Sequence, residues 1–307
     1  MTTTWEAGIT GTLRSIAAGM LAPILLVLAG CSDAPGGAAD GAPPTPLLYE
    51  IASADGAVEG WMLGTIHALP QGTDWQTDGI RKVAGNADLL IVEIAGLDDP
   101  AQTARVFSAL AATPGLPPLD QRLPPDLTAK LAALLDDGDI TPDAFAATET
   151  WAAAIRLAQV GAVGDPANGV DRALIRDFAG RPVREFEGAK AQLSIFDRLP
   201  EDQQRAMLAA VVREAEAARK DPGRLQRAWL AGDAATIEAS TREGFLADPA
   251  LREALLTARN RRWVAALVPV LEQPARPLVA VGTAHLVGPE GLVALLEAEG
   301  FTIRRLP

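Results

Sequence analysis

Two copies of one short phrase hold the residues of this chain that are best suited to chemistry. Gly-Thr-Ile-His ends at His67 and Gly-Thr-Ala-His ends at His285, and these are the only two histidines among 307 residues. Imidazole is the side chain that most often ligates metals or moves protons near neutral pH. The repeated phrase therefore predicts two functional histidines. The alternative is a pair of core or loop-capping histidines without a chemical role.

Each histidine follows a short apolar run that is typical of a buried strand. Residues 61–63 (Trp-Met-Leu) precede the first phrase, and residues 278–281 (Leu-Val-Ala-Val) precede the second. The glycine of each phrase then lets the chain turn as it leaves the strand. Open α/β sheets bind ligands beyond the C-terminal ends of their strands. We therefore expect both histidines to lie at such strand ends.

Two carboxylates also end predicted strands. Residues 88–94 read Asp-Leu-Leu-Ile-Val-Glu-Ile, an apolar run without alternation that favours a strand buried on both faces, and Glu93 lies at its C-terminal end. A carboxylate in that place is costly unless it is paired, hydrogen-bonded or bound to a metal. A helix N-cap or a surface salt bridge is the alternative for Glu93. Glu187 follows a predicted strand over residues 181–186 in the same way.

Two histidines and one carboxylate make a facial ligand set for a divalent metal, with positions left open for water or substrate. We therefore predict a site in which His67, Glu93 and His285 hold Mn, Co or Zn. Such a metal would lower the pKa of a bound water and polarise a carbonyl. The chain has no compact His-Glu-x-x-His motif, P-loop, Gly-x-Ser-x-Gly elbow or Gly-x-Gly-x-x-Gly.

Composition narrows the class of protein. The formal net charge is -12, with 49% hydrophobic and 21% charged residues, as expected for a globular chain of one large domain or two small ones. The acidic balance argues against nucleic acid as a partner. Aromatic residues make up only 5% and alanine is abundant, which favours helices over an all-β sandwich. The single cysteine excludes an internal disulfide and a cysteine-based zinc site.

The N-terminal segment is predicted to lie outside the folded domain. Residues 16–30 are mostly apolar and too short for a comfortable membrane span, and they lead into Leu-Ala-Gly-Cys31, which resembles the lipobox of bacterial lipoproteins. We expect a signal peptide over residues 1–30 and lipidation of Cys31. Ser32 resembles an outer-membrane sorting signal, so the chain would face the periplasm from that membrane. An uncleaved anchor or a misassigned start is the alternative. Residues 31–45 predict a flexible Gly/Ala/Pro tether.

The remaining chain is predicted to mix strands with many helices. Residues 47–52 and 60–63 predict a β-hairpin with an Asp-Gly turn. Apolar residues at three- and four-residue spacing predict a helical insertion over about residues 100–165, which would cover the sheet as a lid, a substrate groove or plain scaffold. A long amphipathic helix is predicted over residues 201–220, with no chemical role.

Two further polar groups are candidates for the site. A helix predicted over residues 248–271 carries Arg259 and Asn260 in the run Arg-Asn-Arg-Arg-Trp. Arginines clustered in so acidic a chain indicate binding of an anion or a carboxylate, and a solvated helix face is the alternative. Asp171 opens another predicted helix, where it is a candidate N-cap.

These motifs together resemble the TraB/GumN family, over the chain from about Leu47 to Leu306. The family's marks are two Gly-x-x-His motifs and a glutamate after the first, and all three are intact here. Further stretches that resemble the family are Gly169-Val170-Asp171, Glu187 with Gln192, Trp229 with Gly232-Asp233, and Arg259-Asn260. The family is related to the TIKI proteins, which are metal-dependent proteases, and more distantly to erythromycin esterases and ChaN-like proteins. The resemblance implies an α/β (α+β) fold in one domain over residues 46–307, with a central mixed β-sheet flanked by helices.

The site chemistry and the resemblance together favour a metal-dependent, peptidase-like hydrolase of amide or ester bonds in the bacterial envelope. Its substrate would be a peptide or a small ester or amide. The expected substrate-binding residues are Arg259, Asn260, Asp171 and Glu187. One alternative is a metal-free, esterase-like enzyme whose histidine base is oriented by Glu93. Another is a non-catalytic lipoprotein that binds a peptide or a haem-like ligand.

Overall fold

One mixed β-sheet organises the protein, and four of its strands run parallel. The structure is a computed structural model that describes residues 43–307. The strands are β1 (Leu48–Ala52), β2 (Val58–Thr65), β3 (Leu89–Val92), β4 (Val183–Glu185), β5 (Pro277–Gly282) and β6 (Thr302–Leu306). Their order across the sheet is β4-β3-β5-β2-β1-β6, with β4, β3, β5 and β2 parallel and β1 and β6 antiparallel to their neighbours. The predicted α/β fold with a central mixed sheet is confirmed.

Helices cover both faces of this sheet. The helices are α1 (Asp78–Asn86), α2 (Pro100–Ala111), α3 (Thr128–Asp137), α4 (Thr150–Ala158), α5 (Val170–Asp177), α6 (Gly188–Asp197), α7 (Glu201–Lys220), α8 (Arg224–Leu230), α9 (Ala234–Ser240), α10 (Pro249–Arg252), α11 (Ala258–Leu271) and α12 (Leu292–Ala298). On β5, Leu278 and Ala280 pack with α1, α5 and α8, whereas Val279 and Val281 pack with α11 and α12. Burial on both faces explains why the sequence of this strand is an unbroken run of apolar residues.

A third apolar core holds a helical body beside the sheet. It combines α2, α3 and α4, which come from the predicted insertion, with α6 and α7 from later in the chain. Trp151 of α4 is its centre: the indole stacks on Phe196 at 6.2 Å between ring centroids and meets Phe107 edge-on at 5.4 Å. The helical body is therefore assembled from separate stretches of sequence rather than from the insertion alone.

Several local predictions are confirmed by the structure. β1 and β2 form the predicted hairpin, and Gly56 in its turn has a φ of +86°. α7 has the predicted bounds, Glu201–Lys220. The strand predicted over residues 181–186 is the shorter β4. The helix predicted over residues 248–271 is interrupted by a π-helical turn, so it forms α10, the π turn and α11.

The predictions for the N-terminal segment fall almost wholly outside the described residues. The signal peptide, Cys31 and most of the predicted tether belong to residues 1–42. At the end of that tether, the backbone N–H of Thr45 donates to the carbonyl of Leu230 at 2.7 Å, so the chain is attached to the fold from this residue onward. Within residues 43–307, no helix has both the length and the apolar character needed to cross a membrane.

The two Gly-Thr-x-His phrases lie side by side because their strands are neighbours. In the parallel pair of β2 and β5, Thr65 lies opposite Gly282. The hydroxyl of Thr283 donates to the carbonyl oxygen of Thr65 at 3.1 Å, and the indole N–H of Trp229 donates to the carbonyl oxygen of Gly64 at 2.8 Å. A Cβ atom on Gly64 would lie 2.4 Å from Oγ1 of Thr283. Glycine in the first phrase therefore makes room for threonine in the second.

Gly64→Ala is expected to destabilise the protein by about 1–3 kcal/mol, because the added methyl group pushes Thr283 from its place in a packed core. Gly85→Ala is the matched control, since Gly85 lies at an exposed position of α1 and its Cβ would meet nothing within 4 Å. The control should change stability by no more than about 1 kcal/mol, in the stabilising direction. Denaturant unfolding of both variants measures the difference, and equal stabilities would contradict this account of Gly64.

Candidate functional site

The C-terminal ends of the parallel strands bring the predicted residues together. His67 lies two residues after β2, Glu93 directly follows β3, and His285 closes a single 3-10 turn after β5. A Cβ atom on Gly282 would lie 3.2 Å from Oε1 of Glu93, 3.4 Å from Nε2 of His67 and 3.7 Å from Cδ2 of His285. The three predicted ligands thus surround Gly282, and the absence of a side chain there gives them room to approach.

His67 is fixed by the carboxylate of Asp171. Its Nδ1 lies 2.6 Å from Oδ2 of Asp171, whose Oδ1 accepts a hydrogen bond from the hydroxyl of Thr65 at 2.7 Å. The prediction that Asp171 caps its helix is wrong: the N-cap of α5 is Gly169, and Asp171 turns its carboxylate into the site. A Cβ on Gly169 would lie 2.3 Å from the carbonyl oxygen of His67, so only glycine allows this approach.

The pKa of His67 is raised above the ordinary value for histidine. Burial by itself would lower this pKa, but the negative charge of Asp171 and the hydrogen bond to it outweigh the desolvation. Nε2 of His67 has no hydrogen-bond partner within the described part of the chain. His67 is also 8% exposed, against 3% for Glu93 and 0% for His285. All three side chains are therefore buried, and His67 is the most exposed of them.

His285 is held as a neutral imidazole. Its Nδ1 donates to Oδ1 of Asn260 at 2.5 Å, and Nδ2 of Asn260 donates to the carbonyl oxygen of Glu290 at 2.7 Å, which fixes the orientation of the amide. The pKa of His285 is lowered to about 3, chiefly by complete burial, with the charge of Glu93 opposing this effect and the charge of Arg259 adding to it. Nε2 of His285 is therefore unprotonated, and its lone pair accepts a hydrogen bond from Nη1 of Arg259 at 3.2 Å.

Glu93 is buried and ionised. Its Oε1 accepts the backbone N–H of Gly282 at 2.8 Å, and its Oε2 accepts Nη2 of Arg259 at 2.7 Å and Nε2 of Gln192 at 3.1 Å. Burial raises the pKa of this carboxyl, but the positive charge of Arg259 prevails and the pKa falls to about 2. The alternative of a surface salt bridge or a helix cap for Glu93 is therefore wrong.

Arg259 joins the two glutamates at the ends of β3 and β4. Its guanidinium is 3% exposed and bonds to both oxygens of Glu187 as well as to Glu93, with Nη2 at 2.8 Å from Oε2 of Glu187. These two carboxylates raise the pKa of Arg259 although burial alone would lower it. Nη1 also donates to the carbonyl oxygen of Leu255 at 3.1 Å. Leu255 belongs to the π turn Glu253–Thr257, a distortion that is frequent at functional sites.

The structure therefore places every predicted site residue of the described chain in one network. Asp171, Asn260 and Glu187, which were expected to bind substrate, bond to the side chains of His67, His285 and Arg259. Sequence reasoning assigned no role to Gln192 or to Trp263, whose indole lies 4.4 Å from the imidazole of His285 between ring centroids. The family resemblance was the only signal for Gln192.

The donor chemistry of this site fits a divalent metal. Both histidines have Nδ1 tied to an acceptor, which is the usual arrangement for imidazoles that bind metals through Nε2. Within residues 43–307, however, no three His, Cys, Asp or Glu side chains are already arranged as a ligand group. Nη1 of Arg259 donates a hydrogen bond to Nε2 of His285, which lies 4.0 Å from Oε1 of Glu93. A bound cation would have to displace that hydrogen bond.

These features define an α/β protein with a buried His-Glu-His site at the C-terminal edge of a parallel sheet. The model of the TraB/PrgY/gumN family matches residues 47–305, and this chain therefore belongs to that family. The matched range contains every site residue described above, and the predicted family is confirmed. No curated protein and no solved structure matches the chain.

The two histidines are expected to titrate in opposite senses. In a ¹⁵N NMR titration of histidine-labelled protein, His285 should stay neutral from pH 8 down to about pH 3, whereas His67 should keep its proton above about pH 6.5. Because the folded-state pKa of His67 is raised, its pair with Asp171 stabilises the fold below the unfolded pKa, and that contribution is lost as the pH rises through the folded pKa.

Asp171→Asn tests the cause of this shift. The variant keeps a hydrogen-bond acceptor but removes the charge, so the pKa of His67 should fall and that of His285 should hardly move. An unchanged pKa for His67 in Asp171→Asn would contradict the assignment of Asp171 as its partner. Having only two histidines in the chain makes the resonances simple to assign with His67→Ala.

Proposed function

We propose that this protein is a hydrolase that cleaves an amide or ester bond beside Glu93, with the help of a divalent metal. The observation that supports this function best is the convergence around Gly282 of two imidazoles, each fixed through Nδ1, and one ionised carboxylate. Such a set is typical of hydrolytic metal sites with open coordination positions. The relation of the family to metal-dependent proteases supports the same reaction class.

His67, Glu93 and His285 would hold the metal, which would supply a water of lowered pKa and polarise the carbonyl of the substrate. Three carboxylates, Glu93, Glu187 and Asp171, lie in this network, and their positive partners are Arg259, Arg262 and protonated His67. A divalent cation on Nε2 of His67 would take the place of the proton there as the positive charge beside these carboxylates.

The other residues of the network would position the reacting groups. Asp171 and Asn260 fix the rings of the two histidines. Arg259 keeps Glu93 ionised, and its Nη1 would be released from His285 to stabilise negative charge on the carbonyl oxygen. Glu187 anchors Arg259 while this happens. These would be positioning roles for Asp171, Asn260 and Glu187, for which direct substrate contacts stay a prediction.

A metal-free hydrolase is the second candidate, and one contact favours it. Nη1 of Arg259 already occupies the lone pair of His285 that a metal would need. His67, backed by Asp171 rather than by Glu93, would then act as general base. It would take a proton from water as the oxygen adds to the carbonyl carbon, and would return that proton to the leaving nitrogen or oxygen as its bond to carbon breaks. Glu93, with a pKa of about 2, is too acidic for this role near neutral pH.

The proposed place of action is the bacterial envelope. The sequence Leu-Ala-Gly-Cys31 supports lipidation of the cysteine, and Ser32 supports an outer-membrane anchor with the folded domain in the periplasm. Peptides or small esters and amides in that compartment would be the substrates. Lipid attachment would be detected by mass spectrometry of the mature N-terminus.

Metal content separates the two candidates. Elemental analysis of the protein, purified without a histidine tag, should find about one divalent metal per chain. His67→Ala and His285→Ala should each lose the metal, and Asp171→Asn should bind it about 10- to 100-fold more weakly, since a group that orients a ligand is removed. No metal in the wild type, even after reloading with Mn, Co or Zn, would overturn the metal-assisted mechanism in favour of the metal-free one.

Glu93→Gln separates either enzyme from a binding protein. Against a panel of peptides and aryl esters, this variant should turn over about 10²- to 10³-fold more slowly, because it loses the carboxylate that would ligate the metal and that holds Arg259 in place. Binding of the same compounds should change little. Glu299→Gln is the control, since Glu299 is exposed at the end of α12. Binding without turnover in the wild type would instead support a ligand-binding lipoprotein for a peptide or haem-like molecule.

A further inference from the structure

One hydrogen-bond acceptor in the site has no donor. Within residues 43–307, three buried side-chain atoms lack a hydrogen-bond partner: Nε1 of Trp151, Nε1 of Trp263 and Oε1 of Gln192. The two indole nitrogens are donors, and Oε1 of Gln192 is the acceptor among them. The side chain of Gln192 is only 3% exposed, so bulk solvent does not satisfy this oxygen. A buried acceptor without a partner is costly, and its retention calls for an explanation.

The orientation of the Gln192 amide is set by Glu93. Nε2 of Gln192 donates to Oε2 of Glu93 at 3.1 Å, and the reverse orientation would place the amide oxygen against a carboxylate oxygen. Gln192 projects from α6, whose first residue follows Glu187. Its Oε1 is bonded to the same carbon as Nε2, so it lies next to Glu93 within the same site. A group that donates to Oε1 would therefore lie beside the proposed reacting centre.

We propose that Oε1 of Gln192 accepts a hydrogen bond from the N–H of a bound amide, and that Gln192 thereby makes the site selective for amides over esters. An amide group offers a carbonyl oxygen to a donor such as Arg259 and an N–H to Gln192. An ester offers the carbonyl oxygen but no donor, so Oε1 of Gln192 would be left unpaired. This inference deepens the proposed function, on which it rests for the position of the substrate beside Glu93.

The size of the preference follows from the burial of Gln192. Sites that hydrogen-bond an N–H or O–H of the substrate discriminate strongly against analogues that lack it, because the polar group of the site is then buried without a partner. For one neutral hydrogen bond we expect an amide to bind about 10- to 100-fold more tightly than an ester of the same shape. A role of Gln192 limited to orienting Glu93 through Nε2 would affect amides and esters equally.

N-methylacetamide and methyl acetate test the inference, because they have the same shape and differ by N–H against O. Their dissociation constants would be measured by NMR titration of the purified full-length protein. The amide should bind at least about tenfold more tightly to the wild type. In Gln192→Met, which removes the acceptor at similar volume, the ratio of the two constants should fall to about one. In Gln192→Lys, which keeps a donor for Glu93 but no acceptor, the ratio should fall as well.

Gln204→Met is the matched control. Gln204 is also buried, but both ends of its amide are bonded, with Oε1 accepting from the N–H of Trp151 at 3.0 Å and Nε2 donating to the carbonyl of Leu199 at 2.9 Å. This variant should keep the wild-type ratio. Equal binding of both probes by the wild type, an unchanged ratio in Gln192→Met, or no binding of either probe would overturn the inference.

The readout does not depend on turnover, so it separates this inference from the proposed function. A protein that prefers N-methylacetamide through Gln192 but hydrolyses no peptide or ester would support the amide site and refute the hydrolase. A protein that hydrolyses both classes with no change in preference in Gln192→Met would support the hydrolase and refute the amide site.

Discussion

The buried guanidinium of Arg259 is the interaction on which the site depends. It holds Glu93 and Glu187 at the ends of neighbouring parallel strands and donates to His285. Removing one partner from a buried ion pair leaves an uncompensated charge and typically costs about 3–5 kcal/mol. Arg259 also sets the protonation states around it, since its charge keeps Glu93 ionised and favours a neutral His285. Arg259 lies on α11, so a residue of a helix influences the protonation of groups at the strand ends.

The sheet positions the two histidines and Glu93, and the helices contribute the groups that orient them. Parallel pairing of β2 and β5 puts the two histidine phrases next to each other, and β3 adds Glu93 from the adjacent strand. α5, α6 and α11 then contribute Asp171, Gln192 and Arg259 with Asn260. Each histidine thus has one partner of its own on Nδ1, a carboxylate for His67 and an amide for His285. This difference explains why two copies of one phrase have opposite pKa shifts.

Much of this site could be predicted from the sequence, because apolar runs that end in His or Glu mark the C-terminal ends of buried strands. The sequence could not reveal the partners of those residues, which are tertiary contacts. Asp171 lies two residues after a glycine at the start of a helix, where an N-cap is a reasonable prediction, and only the fold brings it within hydrogen-bond distance of Thr65 and His67. Likewise, no local pattern separates the buried Arg259 from an arginine on a solvated face. The helical body was predicted only in part. The sequence predicts that α7 has an apolar face, but it does not specify that this face packs against α3 and α4.

The most direct test of metal-assisted hydrolysis is anomalous diffraction from crystals grown with Mn²⁺ or Zn²⁺. A metal at the proposed site would give one anomalous peak about 2.0–2.2 Å from Nε2 of His67, Nε2 of His285 and an oxygen of Glu93, with Nη1 of Arg259 moved away from His285. A site without such a peak at saturating metal, with Arg259 still bonded to His285, would contradict metal-assisted hydrolysis at these residues.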